Sequence, residues 1–172
     1  MDFGSISPVL LVASIMVSAT PILLAAIGEM VVEKSGVLNL GVEGMMITGA
    51  VVGFAVAVNT GSAVPGFAAA ALASAGLSLV FGLLTQLMLS NQVATGLGLT
   101  LAGLGLSALI GKPYEGMKSP TLPRLDIPVL SDLPVLGRML FSHDAMVYLS
   151  LALVLAVWAF LKFTRAGLIL RA

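Results

Sequence analysis

The chain has 172 residues, 59% of them apolar and 9% charged, with a formal net charge of zero, no cysteine and one histidine. Soluble domains average about 45–50% apolar and 25% charged residues, so this composition belongs in a bilayer. It excludes a disulfide framework and a thiolate site, argues against a protein metal centre, and leaves no basic footprint for nucleic acid.

The N-terminus, MDFGSISPVL, has neither a basic n-region nor a small-residue cleavage site, so the first apolar segment is expected to stay in the protein rather than be cleaved as a signal peptide. That segment is Val9 to Gly28. Glu29, Glu33 and Lys34 follow it and read as interfacial residues, with a carboxylate relay as the alternative.

The stretch GVLNLGVEGMM, Gly36 to Met46, opens a second span read as Val37 to Val58. A charge at a helix centre costs roughly 2.5–3.5 kcal/mol, against about −0.3 to −0.6 for each Leu, Ile, Phe or Val, so this span inserts near balance. Glu43 is therefore expected to face the bundle interior, with Asn39 one turn earlier on the same face. Gly36, Gly41 and Gly44 weaken a regular helix here, which suggests a broken helix lining a cavity. The alternatives are a hydrogen-bond anchor between helices and a glutamate near the headgroups.

No formal charge occurs between Glu43 and Lys112, and a span needs roughly 20 residues. This run holds the rest of the second span and two more, with polar breaks at Asn59-Thr60-Gly61-Ser62 and Ser90-Asn91-Gln92. Small residues at helical spacing predict packing seams. They are Gly49 and Gly53 in the second span, Ala71, Ala75, Ser78 and Gly82 in the third, and Ala94, Gly98, Ala102 and Gly105 in the fourth. Such stripes can also line a translocation path.

A long loop, about 111–144, separates the fourth span from the fifth, Ala145 to Leu161. Its length and apolar patches suit a cover or docking surface. Leu133 to Phe141 reads as a short amphipathic helix, and His143 as a solvated loop residue. The tail KFTRAGLILRA suits a short helix at the membrane surface. The expected fold is all-α: a polytopic membrane protein of about five transmembrane helices in one domain, 1–172.

With five spans, Lys34, Lys162, Arg165 and Arg171 share one side, and Lys112, Lys118, Arg124 and Arg138 the other. The cluster close to the last span favours a cytoplasmic C-terminus and an external N-terminus. The chain contains no GxSxG, HExxH or P-loop pattern. Gly103-Leu-Gly105-Leu-Ser-Ala108 fits GxGxxA, but no strand precedes it. No enzyme chemistry, cofactor or metal is expected in this chain, and any ATP is bound by another subunit.

GEMVVEKSGVLNLGVEGMMITGA, SNQVATGLGLTLAGLGLSALIG, IPVLSDLPVLG and TRAGLILRA, in this order, resemble the permease subunits of bacterial ABC importers of the branched-chain amino acid and ribose transporter superfamily. The nucleoside or simple-sugar branch is the most similar. The resemblance implies a plasma-membrane subunit paired with a second permease, identical or different, with two cytoplasmic ATPase subunits and an extracytoplasmic solute-binding lipoprotein. It places the long loop outside and the tail inside. It also implies that the chain corresponds to the N-terminal half or more of such a permease, since these continue past TRAGLILRA into a coupling loop and further spans. By position, Asn39 and Glu43 fall in the broken-helix motif near the pathway, Asn91 and Gln92 cap the fourth span beside it, and Arg165, Gly167 and Arg171 lead into the ATPase contact. The rival readings are a secondary transporter or channel using Glu29, Glu33 and Glu43, and a truncated fragment that does not transport.

Overall fold

The structure, a computed structural model, describes residues 8–122, 124–126 and 142–170. Its long helices are α1 (Pro8–Lys34), α2 (Val42–Thr60), α3 (Ala63–Gly82), α4 (Gln92–Gly111) and α5 (Ala145–Phe163). A five-residue helix, α6 (Arg165–Ile169), follows α5. At 1.5 Å per residue, 19 or 20 residues span about 30 Å, the thickness of a bilayer's hydrocarbon core. All five long helices are apolar enough to cross a membrane.

Two helix boundaries differ from the expectation by five residues or more. α1 runs past Gly28 to Lys34, because Glu29, Glu33 and Lys34 are good helix formers and no breaker comes before Gly36. α2 starts at Val42 rather than Val37, so Asn39 lies outside any helix. α3 continues through a π-helical turn, Leu83–Leu87, and the chain then leaves the helix, with Leu89 at a left-handed φ of 54°.

The contacts divide the chain into two compact units. In the unit Val31–Thr121, α2 is the central helix, packed on both α3 and α4. Of the most apolar stretch of each helix, 39% is buried in α2 against 6% in α3 and 17% in α4. The seam with α3 is built from small residues. Gly49 lies against Ala70 and Ser74, and Gly53 against Ala70 and Gly66, so the expected glycine pair of α2 is a packing seam. Ser74 Oγ ties the helices further by donating to Met45 O at 2.9 Å. Met45, Phe81 and Leu99 form the small core, with Val37 and Leu77 against it.

The expected seams on α3 and α4 are corrected. Ala71, Ala75 and Ser78 are exposed, and the buried face of α3 carries Gly66 and Phe81. On α4, Ala94, Gly98, Ala102 and Gly105 are all exposed, while Gly96, Leu99 and Gly103 are buried. Each helix has two small-residue stripes about 100–200° apart around its axis, and α2 takes the other one.

After α4 a 3-10 turn, Lys112–Tyr114, begins the long loop. Tyr114 fastens it to the end of α2: its hydroxyl accepts from Asn59 Nδ2 at 2.8 Å, and its ring meets Phe54 edge-on at 6.4 Å.

The second unit comprises Met1–Met30 and Leu122–Ala172. Two short strands, β1 (Arg124–Asp126) and β2 (Ser142–Asp144), pair antiparallel with Leu125 opposite His143. This ladder is the one departure from an all-helical chain among the described residues. His143 is buried, 3% exposed, and not a solvated loop residue: pairing in β2 holds it in place, and its backbone N–H donates to Tyr148 Oη at 3.3 Å. The expected helix Leu133 to Phe141 lies outside the described residues.

Candidate functional site: the broken segment between α1 and α2

α1 ends in a Schellman motif. Val37 N–H reaches back to Val32 O at 3.3 Å and Gly36 N–H to Glu33 O at 2.9 Å, with Gly36 at φ +80°. That conformation suits glycine because it has no β-carbon. The five residues from Val37 to Gly41 then run without helical structure before α2 begins.

An irregular segment between two membrane spans is stable only if its backbone polar groups find partners. α4 supplies two of them. Leu38 N–H donates to Gln92 Oε1 at 2.8 Å, and Thr100 Oγ1 donates to Leu40 O at 3.1 Å while also contacting Gly96 O at 3.2 Å. Asn39 supplies a third from within the segment. It is 6% exposed, its Oδ1 accepts from Gly41 N–H at 3.0 Å, and its Nδ2 lies 3.8 Å from Met45 Sδ.

The seat beneath the segment is made of backbone. A β-carbon on Gly96 would lie 2.9 Å from both Leu40 N and Gly41 N. One on Gly44 would lie 2.6 Å from Leu99 O, and one on Gly103 2.5 Å from Gly44 O. The segment and the first turn of α2 thus rest directly on the main chain of α4, which only glycines permit.

Of the residues singled out from sequence, Asn39 and Gln92 come together here. Asn91 is the N-cap of α4, its side chain accepting from Ala94 N–H at 3.1 Å. Gln92, expected to cap the same helix, instead reaches across to Leu38. Glu43 does not share a face with Asn39 and does not point into this chain's interior. It is exposed in the first turn of α2, where the N-terminal end of the helix dipole favours a carboxylate and where Gly41 offers no side-chain cap. In the other unit, Arg165 is exposed at the start of α6, and Gly167 is buried against Phe160 O with its N–H capped by Thr164 Oγ1 at 3.0 Å. Arg171 lies outside the described residues.

Sequence reasoning missed Gly96, Thr100 and Gly103. Their spacing of four and three is as helical as that of Ala94, Gly98, Ala102 and Gly105, and the hydroxyl of Thr100 is the one mark that separates the two stripes. It also missed Thr48, whose buried Oγ1 has no hydrogen-bond partner. Other helical threonines, Thr20, Thr60 and Thr85, return theirs to the carbonyl four residues back. At Thr48 that carbonyl belongs to Gly44, which is pressed against Gly103.

The site's polar groups are amides, hydroxyls and backbone. They bond to one another and to the backbone of the segment, and no cluster of three or more metal-ligating side chains occurs among the described residues.

Residues 11–172 match the profile of a family described as branched-chain amino acid transport system, permease component. The chain is 39% identical over 155 residues to a Haloferax volcanii protein named "Putative glucose ABC transporter permease protein", covering 88% of this chain and 47% of that one. It is 32% identical to a guanosine ABC transporter permease protein of Bacillus subtilis, covering 99% of this chain and 57% of that one. A nucleoside ABC transporter permease protein of Lactococcus lactis is 26% identical, with 94% and 55% covered. The chain thus spans about half the length of the curated relatives it matches. No solved structure matches it.

Proposed function

The chain belongs to the family of branched-chain amino acid transport system permease components, and on that premise we propose that it is the membrane-embedded subunit of an ATP-driven, binding-protein-dependent importer. The solutes we assign are nucleosides or simple sugars, with branched-chain amino acids as the family's other class. Relatives named for glucose, guanosine and nucleosides support that choice. So do the uncharged hydrogen-bonding groups around the segment, Asn39, Gln92 and Thr100, beside which Glu43 carries the one charge assigned to the path.

The single observation that carries the reading is the seat of residues 37–41 on α4. A non-helical stretch between two spans, held by side-chain hydrogen bonds and glycine contacts, is the kind of element that lines the path in transporters, and it can move without breaking a helix ladder. We assign Asn39 and Glu43, with Asn91 and Gln92, to the solute path. Alternating access then follows from rocking of the spans around it. The drive comes from two cytoplasmic ATPase subunits acting on the region of Arg165, Gly167 and Arg171, and solute is delivered by an extracytoplasmic binding lipoprotein. A second permease, copy or paralogue, completes the path. The N-terminus and the 111–144 loop are outside and the C-terminus inside, in a plasma membrane.

The test is uptake into proteoliposomes holding the full permease, its ATPase and its binding protein, with labelled guanosine and glucose. Uptake that needs ATP and the binding protein, and survives a protonophore, is the expected result. Uptake that collapses with the ion gradient and ignores ATP would overturn the importer reading in favour of a secondary transporter using the membrane carboxylates.

A further inference from the structure

Away from the segment on α4, within the unit formed by residues 1–30 and 122–172, a groove of about 650 Å³ runs between α1 and α5. Leu23, Ile27 and Met30 form one wall, and Val154 and Trp158 the other. Leu23 to Met30 covers two helical turns, about 12 Å along the axis at 1.5 Å per residue. Its volume falls within the range of about 300–1,000 Å³ typical of small-molecule sites.

The groove's polar groups gather at one end. Lys162 lines it there, with Nζ 4.8 Å from the centroid of the Trp158 ring and 5.5 Å from that of Phe163. The two rings meet edge-on at 5.5 Å and hold the ammonium in place. Among the described residues Lys162 has no carboxylate partner, and the indole N–H of Trp158 has no acceptor. Lys162 lies in the last turn of α5, and Arg165, also exposed, opens α6 three residues later. An apolar channel two turns long, ending in an ammonium that meets no carboxylate among the described residues and in an indole donor at the end of a span, has the polarity of a phospholipid.

We propose that this groove binds one anionic phospholipid, with an acyl chain between α1 and α5 and the phosphate at Lys162. The apolar walls accept any chain of suitable length, while the ammonium selects the net negative headgroup over a zwitterionic one. One basic residue near a membrane surface is worth about a fivefold preference for anionic lipid. The site is built from α1 and α5 alone and does not depend on the importer reading, because no transport is measured in its test.

The full chain is purified in a neutral detergent, and its thermal midpoint is followed against phosphatidylglycerol, phosphatidylcholine with the same acyl chains, and glycerophosphoglycerol, the headgroup without chains. Phosphatidylglycerol is expected to stabilise at about fivefold lower concentration than phosphatidylcholine, and the headgroup alone to do nothing. Lys162→Ala should equalise the two lipids while keeping the response to phosphatidylcholine. Lys162→Arg and Lys112→Ala should keep the preference. Val157→Trp, which fills the groove, should weaken the response to both lipids. Equal responses in the wild type, a preference that survives Lys162→Ala, stabilisation by the headgroup alone, or an undiminished response in Val157→Trp would each overturn the proposal.

Discussion

Gly103→Ala tests the seat of α2 on α4 most sharply, because the same helix supplies its own control. The new β-carbon would lie 2.5 Å from Gly44 O and 2.7 Å from Gly44 Cα, both backbone atoms that cannot rotate away. Restoring the 3.4 Å of an ordinary contact requires α2 and α4 to part locally by about 0.9 Å. A gap of that size forfeits about a quarter to a half of the dispersion energy of the atom pairs it opens. Overpacking of this kind costs about 1–3 kcal/mol, occasionally more. Alanine recovers about 1 kcal/mol through its helix propensity, and a net loss of about 2 kcal/mol is expected once the loosened bonds to Leu38 and Leu40 are included. Gly105, two residues on, has nothing within 4 Å, so Gly105→Ala keeps the propensity gain and should be neutral or stabilising. Unfolding in mixed micelles, followed by far-UV circular dichroism, reads both. If Gly103→Ala proves as stable as Gly105→Ala, α4 does not meet α2 through the face described.

Asn39→Ala leaves the buried N–H of Gly41 without its acceptor, which costs about 1–3 kcal/mol, and should reduce uptake by the reconstituted importer. Unchanged stability would mean that the turn closes without that side chain. Gly36→Ala should cost about 1 kcal/mol from φ +80° alone, since its β-carbon meets nothing, and Gly36→Asn should cost less; equal losses would point to a cause other than backbone conformation. Glu43→Gln should leave thermal stability nearly unchanged, because the side chain is exposed, while uptake falls severalfold; full uptake would remove Glu43 from the path. Because the chain has no cysteine, Ser119→Cys gives a single thiol in the exposed start of the long loop, expected to react with an impermeant maleimide in intact cells. Protection until lysis would reverse the topology.

Much of the architecture is legible because bilayer insertion is a composition effect. The charge-free run from Gly44 to Gly111 and the polar breaks at Asn59–Ser62 and Ser90–Gln92 mark the helices well. The α2 pair Gly49 and Gly53 was readable as a seam because α2 offers one such pair. α3 and α4 each carry small residues on two faces, and periodicity alone cannot say which face another helix takes. The start of α2 was misplaced for a related reason. Val37 to Gly41 is apolar enough to continue a span, and its departure from helix depends on Gln92 and Thr100, more than fifty residues away, which satisfy its backbone. Glu43 was expected inside on the cost of a charge in lipid. It lies instead in a helix's first turn, where dipole and position change that cost, and only the true helix start reveals this. The burial of His143 depends on a strand pairing that no local pattern announces.

The most direct test of the account is a reversible cross-link between Leu38→Cys and Gln92→Cys, placed where the Leu38 N–H meets the Gln92 side chain at 2.8 Å. A short methanethiosulfonate linker is applied to the permease, whose residues 1–172 hold no other cysteine, in proteoliposomes with its ATPase and binding protein, and solute uptake is followed before and after reduction. The link is expected to form, the uptake that remains in the reduced double variant to stop, and reduction to return it to that level, since the segment must shift on α4 for solute to pass. Failure to cross-link would contradict the described seat, and full uptake by the linked protein would contradict the role assigned to the segment in transport.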